Sequence, residues 1–189
     1  GTQSVSAPSP EATFATIFAL GRASEAFLLL RAQGVGVALA HLPIIYFVYN
    51  ITYALFSTPA GIISDRIGHR NTFMIGMLIF SATYFLFSNV QSLYVLWLLF
   101  GVYGFYSAFT EGVGRAIVAD LVREEWRATA YGVYNAFTGI ALLPASLIFG
   151  WLWDAFGPAV SFRYGVTMSL LGFTVFLFLR VRNHSGLIT

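Results

Sequence analysis

Long, unbroken apolar stretches dominate the chain, and polar residues gather between them. Six stretches stand out: Ala12–Arg31, Leu42–Ile63, Thr72–Ser88, Leu93–Val118, Ala128–Trp153 and Ser161–Leu179. As helices, stretches of this length cross a hydrocarbon core of about 30 Å. The connections are short: "AQGVGVALAH", "SDRIGHRN", "NVQS", "ADLVREEWR" and "DAFGPAV". Strands of a membrane barrel would alternate apolar and polar residues in pieces of about 10. The runs here are longer and apolar all round, so the pattern predicts an all-α membrane protein of six transmembrane helices over residues 12–182. Residues 1–11, "GTQSVSAPSPE", are polar and Ser/Pro-rich, without a basic or apolar signal segment, and read as a linker from a longer chain. Residues 183–189 form a short tail.

Composition sharpens this picture. The 189 residues are 58% hydrophobic and 10% charged, against about 25% charged in a soluble domain. A lipid bilayer is therefore the expected solvent. The absence of cysteine excludes disulfides and thiolate metal sites. A formal charge of +2 is too small to suggest a nucleic-acid partner. Arg66, Arg70, Arg123, Arg127, Arg180 and Arg182 all fall on one side of the membrane if both termini are cytoplasmic, leaving Arg31 and Arg163 near the other. The positive-inside rule selects that orientation.

The second and fifth stretches repeat each other. "YFVYNITYALFSTPA" (46–60) and "YGVYNAFTGIALLPA" (131–145) share Tyr, Val, Tyr, Asn, Pro and Ala at a constant offset of 85 residues. Weaker echoes follow in order: Ser24 and Ser107, Arg31-Ala32 and Arg115-Ala116, Asp65-x-x-Gly68 and Asp154-x-x-Gly157, and Phe73-x-x-Gly76 and Phe162-x-x-Gly165. A unit of three crossings ends on the opposite side from where it began. The second copy is therefore inverted, giving a 3+3 inverted repeat, an architecture of many secondary transporters. The competing explanation is compositional convergence. Tyr46, Asn50 and Tyr53 share one helix face, as do Tyr131, Asn135 and Thr138. An amide in hydrocarbon needs a partner or water, so these stripes face either a cavity or a neighbouring helix.

Four charges lie inside the first and fourth stretches: Arg22 and Glu25, and Glu111 and Arg115. Each costs about 2.5–3.5 kcal/mol at a helix centre. Two readings account for them. The charges line a solute or proton route, with the glutamates carrying protons; or they form pairs within each helix, at spacings of three and four residues, that fix helix register. The third and sixth stretches have no interior charge and are expected to face lipid.

"GIISDRIGHR" (61–70) resembles the loop signature of the major facilitator superfamily, G-x-x-x-D-R-x-G-R-R/K, through Gly61, Asp65, Arg66, Gly68 and Arg70; His69 replaces a basic residue. "LGRASEAFLLLRA" and "DLVREEWRATAYGVYNAFTGIALLPASLIFGWLWDAFGP" are also similar to bacterial members, around their seventh helix and tenth-to-eleventh helix region. The resemblance implies the C-terminal six-helix half of such a transporter, with residues 1–11 ending the central cytoplasmic loop. It implies that the first and fourth helices line a central cavity, that the second and fifth flank it and face the other half, and that the third and sixth lie outside. It assigns Asp65 and the arginines to a cytoplasmic gate, for which Asp65 pairing with Arg127 or a helix N-terminus is one arrangement; the alternative is a simple topology anchor.

The expected function is one wall of a secondary active transporter that moves a small solute by alternating access with proton coupling. Its expected location is the bacterial inner membrane. The expected partners are the other six-helix half or a second copy, the solute and protons. No cofactor is expected, and "GxxxxGK[ST]" is absent. Candidate pathway residues are Arg22, Glu25, Tyr46, Asn50, Tyr53, Glu111, Arg115, Tyr131 and Asn135; candidate gate residues are Gly61, Asp65, Arg66, Gly68, Arg70 and Arg127. A non-transporting sensor or assembly module on the same fold is the alternative. An enzyme is disfavoured, because His41, His69 and His184 do not cluster and no G-x-S-x-G occurs in the spans.

Overall fold

Interrupting rather than merely connecting residues define this bundle. The computed structural model describes residues 21–185, with backbone alone for Arg115, Ile117, Asp120, Leu121 and residues 179–185. Within that range the helices are α1 (Ala26–Val35), α2 (Leu42–Ile67), α3 (His69–Asn89), α4 (Leu93–Leu121), α5 (Arg127–Phe156) and α6 (Pro158–Ser185). Among the described residues, five helices are long and apolar enough to cross a membrane. The first expected span, Ala12–Arg31, lies partly outside the described residues, as do the linker at 1–11 and the last residues of the tail.

The helices run further than hydropathy alone indicated. The charged "SDRIGHRN" connection is mostly helical: Ser64–Ile67 close α2 and His69–Asn71 open α3. A single residue, Gly68, makes the turn at φ +89° and ψ 143°. Its counterpart Gly157 makes the α5–α6 turn at φ +87° and ψ 168°. This backbone region is essentially reserved for glycine. Both glycine amides donate back four residues, to the Ser64 and Trp153 carbonyls, at 2.9 Å.

The echoes in sequence therefore perform matching jobs. A 3-10 turn precedes each repeated helix, Leu39–His41 before α2 and Glu124–Trp126 before α5. Pro59 and Pro144 lie inside these two helices. Ala60 and Ala145, one residue on, are both buried. Gly76 lets α3 approach α4 at Phe109 and Thr110, and Gly165 lets α6 approach Gly21 and Tyr84. In each unit, the third helix thus uses its paired glycine to reach the first helix of the other unit.

The core is aromatic. Tyr84, Phe87, Phe100, Phe149 and Phe162 are nearly inaccessible. Phe162 packs edge-on against Phe149 at 5.3 Å and Tyr84 at 5.2 Å between centroids. Phe27 of α1 joins at 4.8 Å from Phe149. α3 is not merely a lipid-facing strut, since one of its faces supplies Met77, Phe80, Tyr84 and Phe87 to this core. Its other face, with Ile75, Leu78, Phe85 and Leu86, is exposed.

Burial is unequal in a way that positions the site. Only 11% of the most apolar stretch of α2, and of α5, is buried, against 50% in α3 and 56% in α4. The two repeated helices thus leave a bare face, bearing Phe47, Ile51 and Leu55 on α2 and Phe137, Ile140 and Leu147 on α5.

Candidate functional site

The first span is broken where its charges lie. Gly21 is helical, Arg22–Ser24 are not, and helix resumes at Ala26. The ten residues of α1 rise about 15 Å at 1.5 Å each, roughly half a hydrocarbon core. Non-helical backbone at such depth is tolerated only inside protein or beside a water-filled cavity. The freed amides find partners here. Ser24 N–H donates to Ser146 Oγ of α5 at 3.2 Å, and Ala26 N–H to Ser24 Oγ at 3.3 Å.

The break redirects the charges. Sequence spacing allowed Arg22 to pair with Glu25 along one helix. Instead Arg22 Nη2 donates to Glu111 Oε1 of α4 at 2.8 Å. Glu25 turns to α2, accepting from Tyr49 Oη at Oε1 (2.9 Å) and from Tyr46 Oη at Oε2 (2.7 Å). The register-fixing pair within the first span is therefore replaced by bonds between elements. Losing helical geometry at Arg22–Ser24 removes the turn that would have stacked residues 22 and 25. The Arg115 side chain lies outside the described residues.

A row of tyrosines ties this cluster together. Tyr49 lies 5.2 Å from Tyr46, 6.5 Å from Tyr53 and 5.4 Å from Tyr103 between ring centroids. Tyr103 lies 5.1 Å from Tyr106. Tyr103, Tyr106, Ser107 and Glu111 are spaced i, i+3, i+4 and i+8, one face of α4. The hydroxyls of Tyr103, Tyr106 and Ser107 are buried without a hydrogen-bond partner among the described residues. Arg22 and Glu111 remain 31% and 26% exposed, so the pair is not sealed inside the bundle. Tyr49, Tyr103, Tyr106 and Ser107 were not among the expected site residues, although the polar stripe on α4 was a readable signal.

Other expected residues stand apart. Asn50 is exposed and donates to its own helix at Tyr46 O, 2.8 Å. Asn135 is exposed, Tyr131 is half-buried, and neither joins the cluster. Thr138 bonds back to the Tyr134 and Asn135 carbonyls. Thus the first repeat contributes its tyrosine stripe to the charges, whereas Tyr131 and Asn135 of the second make no such bond among the described residues.

At the other candidate region, Asp65, Arg66, Arg70 and Arg127 are exposed, and no ion pair joins Asp65 to Arg127. Between Asp65 and Arg70, Arg66 and Ile67 end α2, Gly68 turns the chain and His69 opens α3, so this segment is two helix ends rather than a loop. Ser64 is buried, with its Oγ 2.6 Å from His69 Nδ1 across that turn. Gly61 mediates no close approach among the described residues, since nothing there lies within 4 Å of where its Cβ would stand.

Arg31 and Arg163, expected near the outer face, share one task. Arg31 donates to the Phe87 and Val90 carbonyls at 3.1 and 2.7 Å. Arg163 donates to Asn89 Oδ1 at 3.1 Å. Both cations thus sit at the C-terminal end of α3, where the helix dipole is negative. The open groove lined by Val118, Trp126, Thr129, Ala130, Val133 and Tyr134 is apolar, about 380 Å³, and separate from the charge cluster.

Comparison with known proteins bears on this geometry. The sequence model described as Major Facilitator Superfamily matches residues 12–188. An uncharacterized MFS-type transporter of Methanocaldococcus jannaschii is 38% identical over 169 residues, 86% of this chain and 42% of that protein. An uncharacterized protein of Mycobacterium tuberculosis is 31% identical over 75% of this chain and 34% of its own length. The class E tetracycline resistance protein of Escherichia coli is 26% identical over 82% of this chain and 36% of its own length. The chain spans less than half the length of these relatives.

Proposed function

The chain belongs to the major facilitator superfamily, a family of membrane transporters rather than enzymes, and from that premise we propose that it forms one six-helix wall of a secondary active transporter. The solute is small, the mechanism is alternating access, and protons drive it. The other wall is a second six-helix half of the same protein or another copy of this one. Both ends of the segment face the cytoplasm, and the membrane is a bacterial inner membrane.

One observation carries this reading. The ion pair Arg22–Glu111 and the Glu25–Tyr46–Tyr49 bonds meet at a helix break beneath the bare face of α2 and α5. Ionisable groups inside a membrane ordinarily face a bundle interior or an aqueous path. Transporter sites commonly use broken helices at mid-membrane. Each charged group here bonds to another element, so a change at one site is felt by the neighbouring helix. Protonating Glu111 would weaken its hold on Arg22, and protonating Glu25 would disturb two phenol bonds to α2. Either event loosens a contact between helices that must move relative to one another.

The test is uptake by the full-length protein in proteoliposomes under an imposed proton gradient, across a broad solute panel. Gradient-driven accumulation of at least one solute is expected. Glu25→Gln and Glu111→Gln should abolish the dependence on the gradient. Wild-type dependence in both variants would remove the glutamates from the proton route. If no solute moves at all, the sensor or assembly reading replaces transport.

A further inference from the structure

The two carboxylates of the cluster are not equivalent. Glu111 is matched by the Arg22 guanidinium. Glu25 makes no ion pair among the described residues and is held by neutral phenols. Among the described side chains, then, a guanidinium stands against Glu111 and none stands against Glu25.

The surroundings of Glu25 are suited to a particular kind of counter-charge. Three tyrosine rings of α2, at positions 46, 49 and 53, form a continuous row beside it, and Tyr103 of α4 extends that row. Aromatic faces attract cations, most strongly where water is excluded. Tyr46 is 36% exposed, so the row opens on the bare side of the bundle. Further in, the buried hydroxyls of Tyr103, Tyr106 and Ser107 make no bond of proper hydrogen-bond geometry among the described residues, although Tyr84 stands beside Tyr103 and Thr110 beside Tyr106. The Ser107 hydroxyl lies beside that of Tyr49, yet no bond of proper hydrogen-bond geometry joins them. A buried hydroxyl left unpaired is destabilising, and a bound molecule or the water it carries would relieve that cost.

We propose that Glu25, with the rings of Tyr46, Tyr49, Tyr53 and Tyr103, forms a binding site for a lipophilic organic monocation. The carboxylate supplies the opposite charge, the rings supply cation–π contact and apolar area, and the deeper hydroxyls receive polar groups of the occupant. A proton and such a cation would use the same carboxylate. This deepens the transporter reading and rests on it for the direction of access.

The test is equilibrium binding of radiolabelled tetraphenylphosphonium to the detergent-solubilised full-length protein, read by scintillation proximity. Tetraphenylborate, of similar size and opposite charge, serves as competitor. Saturable binding of the cation is expected, with no displacement by the borate. Glu25→Gln should weaken binding about 10–100-fold, the range for losing a hydrogen-bonded charge. Tyr46→Ala and Tyr49→Ala, which remove the rings, should weaken binding more than Tyr46→Phe and Tyr49→Phe, which lose only the bonds to the carboxylate; equal losses in the two series would overturn the aromatic contact. If the Gln variant fails to fold, Glu25→Asp is read instead, and binding weakened several-fold is expected because the charge is withdrawn from the row. Absence of saturable binding, equal competition by the borate, or unchanged affinity in the Glu25 variants would overturn the site. Uptake of another solute without phosphonium binding sinks this inference alone, whereas binding without any uptake sinks the transporter reading alone.

Discussion

Arg22→Gln is expected to lower the stability of the full-length protein and to abolish solute accumulation, while the double change Arg22→Gln/Glu111→Gln recovers stability but not transport. The reasoning starts from the 2.8 Å contact between Arg22 Nη2 and Glu111 Oε1. Removing one member of a fully buried pair costs about 3–5 kcal/mol, because the remaining charge is stranded. With side chains 31% and 26% exposed, solvent and neighbouring dipoles screen part of that cost, and roughly 1–3 kcal/mol is the appropriate scale. Two amides at these positions can still hydrogen-bond to each other, and neither member of this pair is left as an unmatched charge. The single changes should therefore not add, and the cycle should show coupling of roughly 1–2 kcal/mol. Thermal unfolding followed by size-exclusion chromatography measures the cycle. Uptake separates stability from function: an additive cycle would mean that the pair does not hold the broken segment to α4.

Gly104 is expected to be the most damaging position outside the charges. It stands where α4 crosses α2. A Cβ there would collide with the Tyr49 carbonyl oxygen and lie 2.9 Å from Thr52 Cβ and 3.1 Å from Tyr53 N. Two of those three contacts are backbone, which cannot swing aside. Close approach through small residues is how membrane helices gain packing energy, since lipid offers little hydrophobic drive. Overpacking of this kind costs about 1–3 kcal/mol for a single carbon, a large part of a total of about 5–15 kcal/mol. Gly104→Ala should lower the unfolding temperature markedly, and Gly104→Val should leave little monodisperse protein. Gly101→Ala is the control: its Cβ would meet only Thr52 Oγ1, at 3.8 Å, and near-native behaviour is expected. Equal behaviour of the two alanine variants would show that α2 and α4 do not cross there.

Displacing Gly104 would also displace the site, because Tyr49 carries both the contact with α4 and the bond to Glu25. The helix crossing and the carboxylate geometry are one construction. The α2 backbone is drawn against α4 at Gly104, which brings the Tyr49 ring to Tyr103 and aims its hydroxyl at Glu25.

Much of this architecture was legible in the sequence. Apolar runs located α2 to α6, because twenty or so apolar residues in lipid have few alternatives to a helix. The paired Gly68 and Gly157 were visible as echoes, and the structure gives the reason: both turn the chain at positive φ, where other residues are strained. The break at Arg22–Ser24 was not legible. "LGRASEAF" contains no proline and reads as helix; the interruption is settled by distant groups, Ser146 on α5 and Glu111 on α4. Partner choice failed for the same reason. Spacing suggested Arg22 with Glu25, whereas tertiary contacts sent them to different helices. Asn50 shares a sequence stripe with Tyr46, yet satisfies itself on its own backbone. The connection at 61–70 looked like a loop because its charges depress hydropathy, but charges at a helix end do not stop helix formation, and a single glycine sufficed to turn the chain.

The central claim is that the bare face of α2 and α5 borders an aqueous route rather than acyl chains. The chain has no cysteine, which makes site-specific labelling direct once any other cysteines of the full-length protein are removed. Single cysteines at Asn50 and Asn135, compared with Leu78 and Phe178 on the exposed faces of α3 and α6, should be treated in membranes with a charged, water-soluble thiol reagent. Rapid modification at 50 and 135, with none at 78 and 178, is the predicted result. Protection of 50 and 135 from that reagent, together with modification by a lipid-soluble one, would contradict the account.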